Sequence, residues 1–293
     1  MQLLRDHRPG GPLRVLSQAD WIAGRLAGRF DASDESNALK LGYDPVARRW
    51  PAWLAGLELP PDALPRVHPV GTAVGGVTAA AARATGLPAG CRVATGATDA
   101  VAGFLAAGAA HPGEAVTSLG TTLALKLLSP VPVFAAEHGV YSHRLGEHFL
   151  AGGASNCGAG ILARFFTPAA LERLTPRLEP ERDTGLGYYP LPCPGERFPR
   201  SDPALAPRLE PRPDDDARFL QGLLEGIAAV EAEGYRRLAE LGAPPVGRVR
   251  TVGGGAGNPA WTRIRARYLG VPVAPAEETD AAVGAAYLAR AAL

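Results

Sequence analysis

Lysine is almost missing from this chain. Only Lys40 and Lys126 occur, and arginine supplies the rest of the 30 basic residues. Against them stand 29 acidic residues, leaving a net charge of +1 and no basic field to attract nucleic acid or an anionic membrane. With abundant Ala, Gly and Pro, the preference for arginine reads as compositional bias rather than a phosphate-binding design. Cysteine is scarce too. Cys91, Cys157 and Cys193 form no CxxC pair and leave one over, which excludes a disulfide scaffold or a zinc ribbon. Long apolar runs are absent: the longest Ala-rich stretch, Ala100 to Ala110, is too short to cross a bilayer. The start, Met1 to Pro9, lacks the apolar core of a signal peptide. What is present is 46% apolar residues over 293 positions, ample for a packed core in one large domain or two ordinary ones. The expectation is a soluble, cytoplasmic globular protein.

Element signals alternate along the chain. Ser17 is a plausible cap for a helix through Trp21, Ile22 and Leu26 that Gly28 closes. Asp31 to Asn37 reads as a polar loop, and Gly42 to Pro45 as a turn. A short helix near Trp50–Trp53 precedes a Pro-rich connector, and Val77–Thr85 is helical up to Gly86. Cys91–Gly96 suggests a buried strand, followed by a helix from Asp99 to about Ala110. Glu114–Leu119 and Leu123–Leu128 predict strands on either side of Gly120-Thr-Thr122, and Gly139–His143 with His148–Ala151 a second hairpin. Gly152 to Ser155 is expected to open a helix through Phe165 and Phe166, and residues 180–216 to form a surface excursion. From Leu220 to Leu241 apolar residues keep a helical period that ends at Gly242, behind an acidic start at Asp214–Asp216. The tail reads strand (Arg248–Val252), glycine loop (Gly253–Asn258), helix, strand (Val271–Val273) and helix from Thr279. This alternation predicts an α/β protein, with a domain boundary near His111-Pro-Gly113.

Three places can carry chemistry. Asp99 follows a strand and begins a helix: it is either a helix cap or a carboxylate at the carboxyl end of a strand, where open α/β sheets place ligands. Gly120-Thr-Thr122 is either an ordinary hairpin turn or a phosphate cradle built from backbone N–H groups and a hydroxyl. The run Gly253–Asn258 follows a strand and opens a helix, as phosphate- and nucleotide-binding loops do; a tight structural turn is the alternative. A dinucleotide fingerprint fits imperfectly, with Glu277 and Glu278 beyond the loop but Asn258 in place of the third glycine. No Walker A loop, HExxH or GxSxG is present. His143 and His148 read as solvated strand residues rather than metal ligands.

In order along the chain, several segments resemble the FGGY family of carbohydrate kinases, and more narrowly its plant and cyanobacterial D-ribulose kinase-like (xylulose-kinase-like) branch. They are Ser33 to Pro45, Thr95-Gly-Ala-Thr-Asp99, Thr117 to Lys126, Gly139 to Arg144, Gly152 to Asn156 and Gly253 to Asn258. The resemblance implies an actin-like ATPase (ribonuclease H-like) α/β fold: a partial first, sugar-binding domain over 1–112 and a complete second, ATP-binding domain over 113–293. It implies ATP-dependent phosphorylation of a ketose, D-ribulose or a related pentulose, with ATP and Mg2+ as cofactors. Asp99 would be the base that takes the sugar hydroxyl's proton, and an ordinary aspartate, titrating near pH 4, is ionised at neutral pH. Gly120 and Thr121 would meet the ATP phosphates; Gly254, Gly255 and Asn258 would hold the adenosine end. No metal-ligating residue is assigned. The alternatives are a non-catalytic nucleotide- or sugar-binding module of the same fold and a dinucleotide-dependent oxidoreductase.

Family members open with a strand and an Asp-x-Gly-Thr phosphate loop, and no such loop precedes Ser17. The expectation is a truncated gene product, a fragment completed by another polypeptide or a mis-started reading frame, with a completing N-terminal segment or a homo-oligomer as partner. Alone it should bind ATP weakly, phosphorylate no pentulose and expose apolar surface around Val93–Gly96 and Phe104. The expected partner is a small sugar, with neither nucleic acid nor membrane.

Overall fold

A computed structural model describes residues 13–57, 59–60 and 62–293. The opening Met1–Pro9 lies outside the described residues, as do Glu58 and Pro61 of the Pro-rich connector. Two compact units emerge. The first holds the described residues up to Ala106, with His143–Glu147 and Asp280–Leu293; the second holds Ala107–Ser142 and His148–Thr279.

In the first unit, helix α1 (Gln18–Ala27) starts where the sequence predicts. Ser17 Oγ accepts from the Asp20 N–H at 3.1 Å and the Asp20 carboxylate accepts from the Ser17 N–H at 3.0 Å, a reciprocal cap. Gly28, at φ 73°, ends the helix. The expected polar loop is absent. Strand β1 (Ala32–Asp34) and the single turn α2 (Glu35–Ala38) take its place, and Ser33, Asp34, Glu35 and Ser36 are all buried. Ser33 donates to Asp20, Asp34 accepts from backbone N–H groups, and Ser36 meets Thr98 and His143, contacts that apolar periodicity does not register. Strand β1 runs parallel to β2 (Arg66–His68), and β3 (Ala73–Gly76) antiparallel to β4 (Arg92–Ala94). Helix α3 (Ala79–Thr85) is capped by Thr78 and closed by Gly86. Helix α4 (Asp99–Ala106) stops short of the expected Ala110. The C-terminal helix (Ala281–Ala291) packs on α4 so closely that a Cβ on Gly284 would lie 1.8 Å from the Ala102 carbonyl oxygen. Val93 and Phe104, expected at the surface, are 6% and 1% exposed. The sequence order did not suggest the contact between α4 and the C-terminal helix.

The second unit is built on a mixed sheet. Its strands are β5 (Glu114–Leu119), β6 (Leu123–Ser129), β8 (His148–Ser155), β9 (Arg248–Val252) and β10 (Val273–Pro275), with β7 (Tyr141–Leu145) divided so that Tyr141–Ser142 count with this unit and His143–Leu145 with the first. The order is β10-β9-β5-β6-β8-β7. Neighbours β5, β6 and β8 are antiparallel, while β9 is parallel to both β5 and β10. Gly152–Ser155 continues β8 rather than opening a helix. Its glycines serve close approach: a Cβ on Gly152 would lie 2.2 Å from the Leu125 carbonyl oxygen, and one on Gly153 2.7 Å from the Phe198 ring. A 3-10 turn (Ala159–Arg164) and helix α5 (Pro168–Leu174) follow. Helix α6 (Asp216–Glu240) is the central buried element, with Asp215 as its cap. Residues 180–215 carry no helix or strand, yet the stretch 180–216 is no surface excursion. Tyr188, Tyr189, Leu191 and Phe198 are buried in the core beside α6. Helix α7 (Pro259–Leu269) links β9 to β10, which starts at Val273 instead of Val271.

Candidate active site

Strand β5 delivers the Gly120-Thr-Thr122 turn. The turn closes on itself through the Gly120 N–H to the Thr122 carbonyl at 3.2 Å. The Ala159 and Gly160 N–H groups donate to the Gly120 and Thr121 carbonyls at 2.9 and 3.3 Å. Such proximity needs glycine beneath: a Cβ on Gly158 would lie 2.5 Å from the Thr122 carbonyl carbon. Thr121 itself is exposed.

Strand β9, paired in register with β5, delivers the second loop. Thr117 lies opposite Thr251 and Ser118 opposite Val252, so the two loops leave the sheet side by side. Gly253 adopts φ 87°, which favours glycine, and a Cβ there would sit 2.8 Å from the Leu119 carbonyl oxygen. Gly255 packs under the Trp261 ring, 2.6 Å from where its Cβ would be. Gly254 faces open space. Asn258 caps α7, accepting from the Trp261 N–H at 3.0 Å, and its amide donates to Thr175 Oγ1 at 3.3 Å.

Gly254, Gly255 and Asn258 line one cavity of about 650 Å³, a size suited to a small organic ligand. Its wall is largely apolar, with Leu162, Phe166, Leu171, Leu220, Leu224 and Trp261, and its polar side chains are Glu172, Thr175 and Asn258. Ala159, hydrogen-bonded to Gly120, belongs to the same wall. The predicted phosphate turn and glycine loop thus adjoin one largely apolar cavity. Sequence reasoning missed Trp261 and Thr175; an aromatic residue three positions after a capping Asn was the available signal.

Asp99 belongs to the first unit. It is exposed and is the first residue of α4, not its cap: the Thr98 carbonyl accepts the first helical bonds, from Val101 and Ala102 at 3.0 and 2.9 Å. Its carboxylate accepts only from the adjacent Ala100 N–H, at 2.7 Å, among the described contacts. Behind it stands a buried polar network. Ser36 Oγ accepts from the Thr98 N–H at 3.1 Å, lies 3.0 Å from Thr98 Oγ1 and reaches His143 Nδ1 at 3.4 Å. His143 is therefore no solvated strand residue; it is 1% exposed. Asp34 accepts from the N–H groups of Ser36 and Asn37 and from the Asn37 amide. Burial pushes its carboxyl up to about 6, against those hydrogen bonds. Beside it Glu35 meets Arg48 at 2.9 Å, and burial pushes its carboxyl up as well.

Two further nucleophile candidates, Ser155 and Cys157, are buried. Ser155 donates to Glu196 at 2.5 Å, and burial pushes the Cys157 thiol up. Among the described residues no group of three or more His, Cys, Asp or Glu side chains is gathered to hold a metal ion. Nor is any helix among them long and apolar enough to cross a membrane.

Residues 115–293 match the model of the C-terminal domain of the FGGY family of carbohydrate kinases. The chain belongs to the FGGY family. It is similar to the autoinducer-2 kinase of Yersinia pestis (strain Pestoides F), 31% identical over 310 residues that cover 97% of this chain and 57% of that protein. It also resembles the crystal structure of a xylulose kinase from Rhodospirillum rubrum, with 27% identity and a TM-score of 0.80 over 99% of this chain and 61% of that one. A glycerol kinase from Plasmodium falciparum, solved with ADP, shares the fold at 17% identity and a TM-score of 0.80, covering 93% and 57% of the two chains. The FGGY chain thus spans little more than half the length of the curated relative it matches. Its fold is the actin-like ATPase fold of the FGGY sugar kinases, represented by partial domains. Family membership sets aside the dinucleotide-dependent oxidoreductase.

Proposed function

We propose that the protein to which this chain contributes transfers the γ-phosphoryl group of ATP to a hydroxyl of a ketose, D-ribulose or a related pentulose. The observation that carries the nucleotide half is the apolar cavity of about 650 Å³ ending at Gly254, Gly255 and Asn258 and adjoining the Gly120-Thr121 turn. An adenine ring suits such a slot, and exposed Gly254 lets a ligand approach the backbone. Residues 113–293 are assigned to the nucleotide and 1–112 to the sugar. Asp99, exposed at the start of α4, is the base: it accepts the hydroxyl proton as the sugar oxygen bonds to the γ-phosphorus and the bond to the ADP oxygen breaks. Mg2+ would arrive mainly on the nucleotide's phosphates, as is common for that ion. Its chemistry is neutralising phosphate charge.

The pentulose assignment is supported by likeness to the xylulose kinase and by the segments that carry the family resemblance. A second substrate is suggested by the name of the Yersinia protein, an autoinducer-2 kinase. The reaction belongs in the cytoplasm, in keeping with three free cysteines. The test pairs thermal melts with and without MgATP for the chain and its Gly254→Val variant, followed by a coupled assay over a ketose panel that includes autoinducer-2. Gly254→Val should fold normally and lose the MgATP-induced rise in melting temperature. A variant that keeps the full rise removes the loop assignment, and MgATP binding without turnover on any ketose even after a homologous N-terminal segment is added favours the non-catalytic module.

A further inference from the structure

Under the two nucleotide loops lies a charged cluster sealed from solvent. Arg265 on α7 grips Glu231 on α6 with two parallel bonds: Nε to Oε2 and Nη2 to Oε1, both 2.6 Å. Its third nitrogen, Nη1, donates to Thr251 Oγ1 on β9 at 2.6 Å. Thr117 on β5 donates to Glu231 Oε1 at 2.6 Å, and Tyr235 on α6 is 2.7 Å from the same hydroxyl. Thr117 spends its one proton on Glu231, so Tyr235 is the donor of that second bond. All five side chains are at most 2% exposed.

The cluster joins the elements that end in the proposed nucleotide contacts. Thr117 and Thr251 are direct cross-strand partners. Three residues past Thr117 comes Gly120, and two past Thr251 comes Gly253. Arg265 sits two turns along α7 from Asn258, with Trp261 between them on the same face. A buried ion pair is seldom required for stability, because apolar residues of equal volume can serve as well. An apolar contact, however, has no direction. A guanidinium fork bound to one carboxylate and one hydroxyl has a fixed geometry.

We propose that the Arg265–Glu231–Thr117–Thr251–Tyr235 cluster is the positioning device of the nucleotide site, locking the ends of β5 and β9 against α6 and α7 so that the Gly120 turn and the Gly253 loop hold one spacing. It rests on the nucleotide reading above. These are positioning residues, since none of them lines the cavity.

The test uses the 293-residue chain and a Glu231→Met/Arg265→Met double variant, which removes both charges together and leaves neither one orphaned. Hydrogen exchange is read on peptides spanning 119–123 and 252–258, with 149–155 in β8 as control, and MgATP affinity by calorimetry. Expected is a cooperative melt, exchange at least ~10-fold faster in both loops and unchanged in the control, and MgATP affinity at least ~10-fold weaker, because directional bonds and not bulk burial hold the loops. A folded double variant with wild-type loop exchange and affinity overturns the proposal. Should that variant not fold, Thr117→Val and Thr117→Ser decide: Val keeps the shape and loses both bonds, whereas Ser keeps them. Faster loop exchange in the Val variant alone supports the clamp; identical behaviour of the two overturns it. A wild-type chain that binds no MgATP at millimolar concentration would remove the nucleotide reading, while the exchange data would still judge the hold on the loops.

Discussion

The first unit sets Asp99 among short strands held by polar side chains; the second sets its glycine loops on longer registered strands with a buried charged cluster beneath them. Around Asp99 the strands are three or four residues long and form two separate pairs. Rigidity there comes from Ser36, Thr98, His143 and Asp34 bonding one another out of water. Around Gly120 and Gly253, two registered strands decide which residues lie opposite one another, and glycines let backbones touch, with the spacing assigned above to the Arg265–Glu231 cluster. The lesson is that the two halves should fail differently. Polar networks respond to pH and to the loss of single hydroxyls, while close-packed glycine contacts respond to one added methyl group.

The largest effect should fall on Asp99. In any preparation that phosphorylates a ketose, Asp99→Asn should lower turnover by about 10²–10⁴-fold, the range of a general base. Melting should hardly move, because Asn keeps the acceptor for the Ala100 N–H. A coupled assay checks it, and near-normal turnover would dismiss the catalytic role.

Next comes the glycine pair in the second unit. Gly255→Ala would press a methyl group to 2.6 Å from the Trp261 ring and 2.8 Å from Leu119 Cβ, and should cost about 1–3 kcal/mol as overpacking does. At Gly254 the same methyl meets nothing within 4 Å and should leave urea stability unchanged. Equal losses at both sites would mean that the loop serves only as a turn.

The smallest effect concerns pH and belongs to the first unit. Buried Asp34 keeps its proton in the folded chain up to about pH 6, against an ordinary value of 3.8. Its contribution to stability is therefore complete below the ordinary value and is lost as pH rises through about 6. Lowering the pH from 7 to 5 should stabilise the first unit by about 1.4 kcal/mol through this group, roughly one pKa unit's worth. Glu35, also pushed up by burial, acts in the same direction. The chain has 4 tryptophans. Trp21, Trp50 and Trp53 lie in the first unit and Trp261 in the second, so a Trp261→Phe background reports on the first unit alone. Urea melts at the two pH values, with and without Asp34→Asn, measure the difference. An unchanged pH response in the Asn variant would discard Asp34 as its source.

Much of this molecule could be read from local signals. Caps at Ser17 and Asp215, the closing glycines at 28 and 86, and the helical period of α6 are short-range stereochemistry, complete within a few residues of chain. The strands around Gly120 and the strand before Gly253 were legible for the same reason. Where reading failed, the partner was distant in sequence. Ser33 to Ser36 looked like a solvated loop because its polar partners, Asp20, Thr98 and His143, come from elsewhere. Gly152 and Gly153 looked like the opening of a helix because Leu125 and Phe198, which press on them, cannot be inferred nearby.

By itself, then, the sequence determined the element types, the capping chemistry, the family motifs and which residues deserved attention as base and nucleotide loops. Only the tertiary structure decided that Gly254, Gly255 and Asn258 share one cavity, that Asp99 heads a helix it does not cap, and that Arg265 and Glu231 meet under both loops. Local conformation depends on sterics and hydrogen bonds a few residues apart. Burial and the pairing of charges depend on which distant segments come together, and that is settled only when the whole chain has packed.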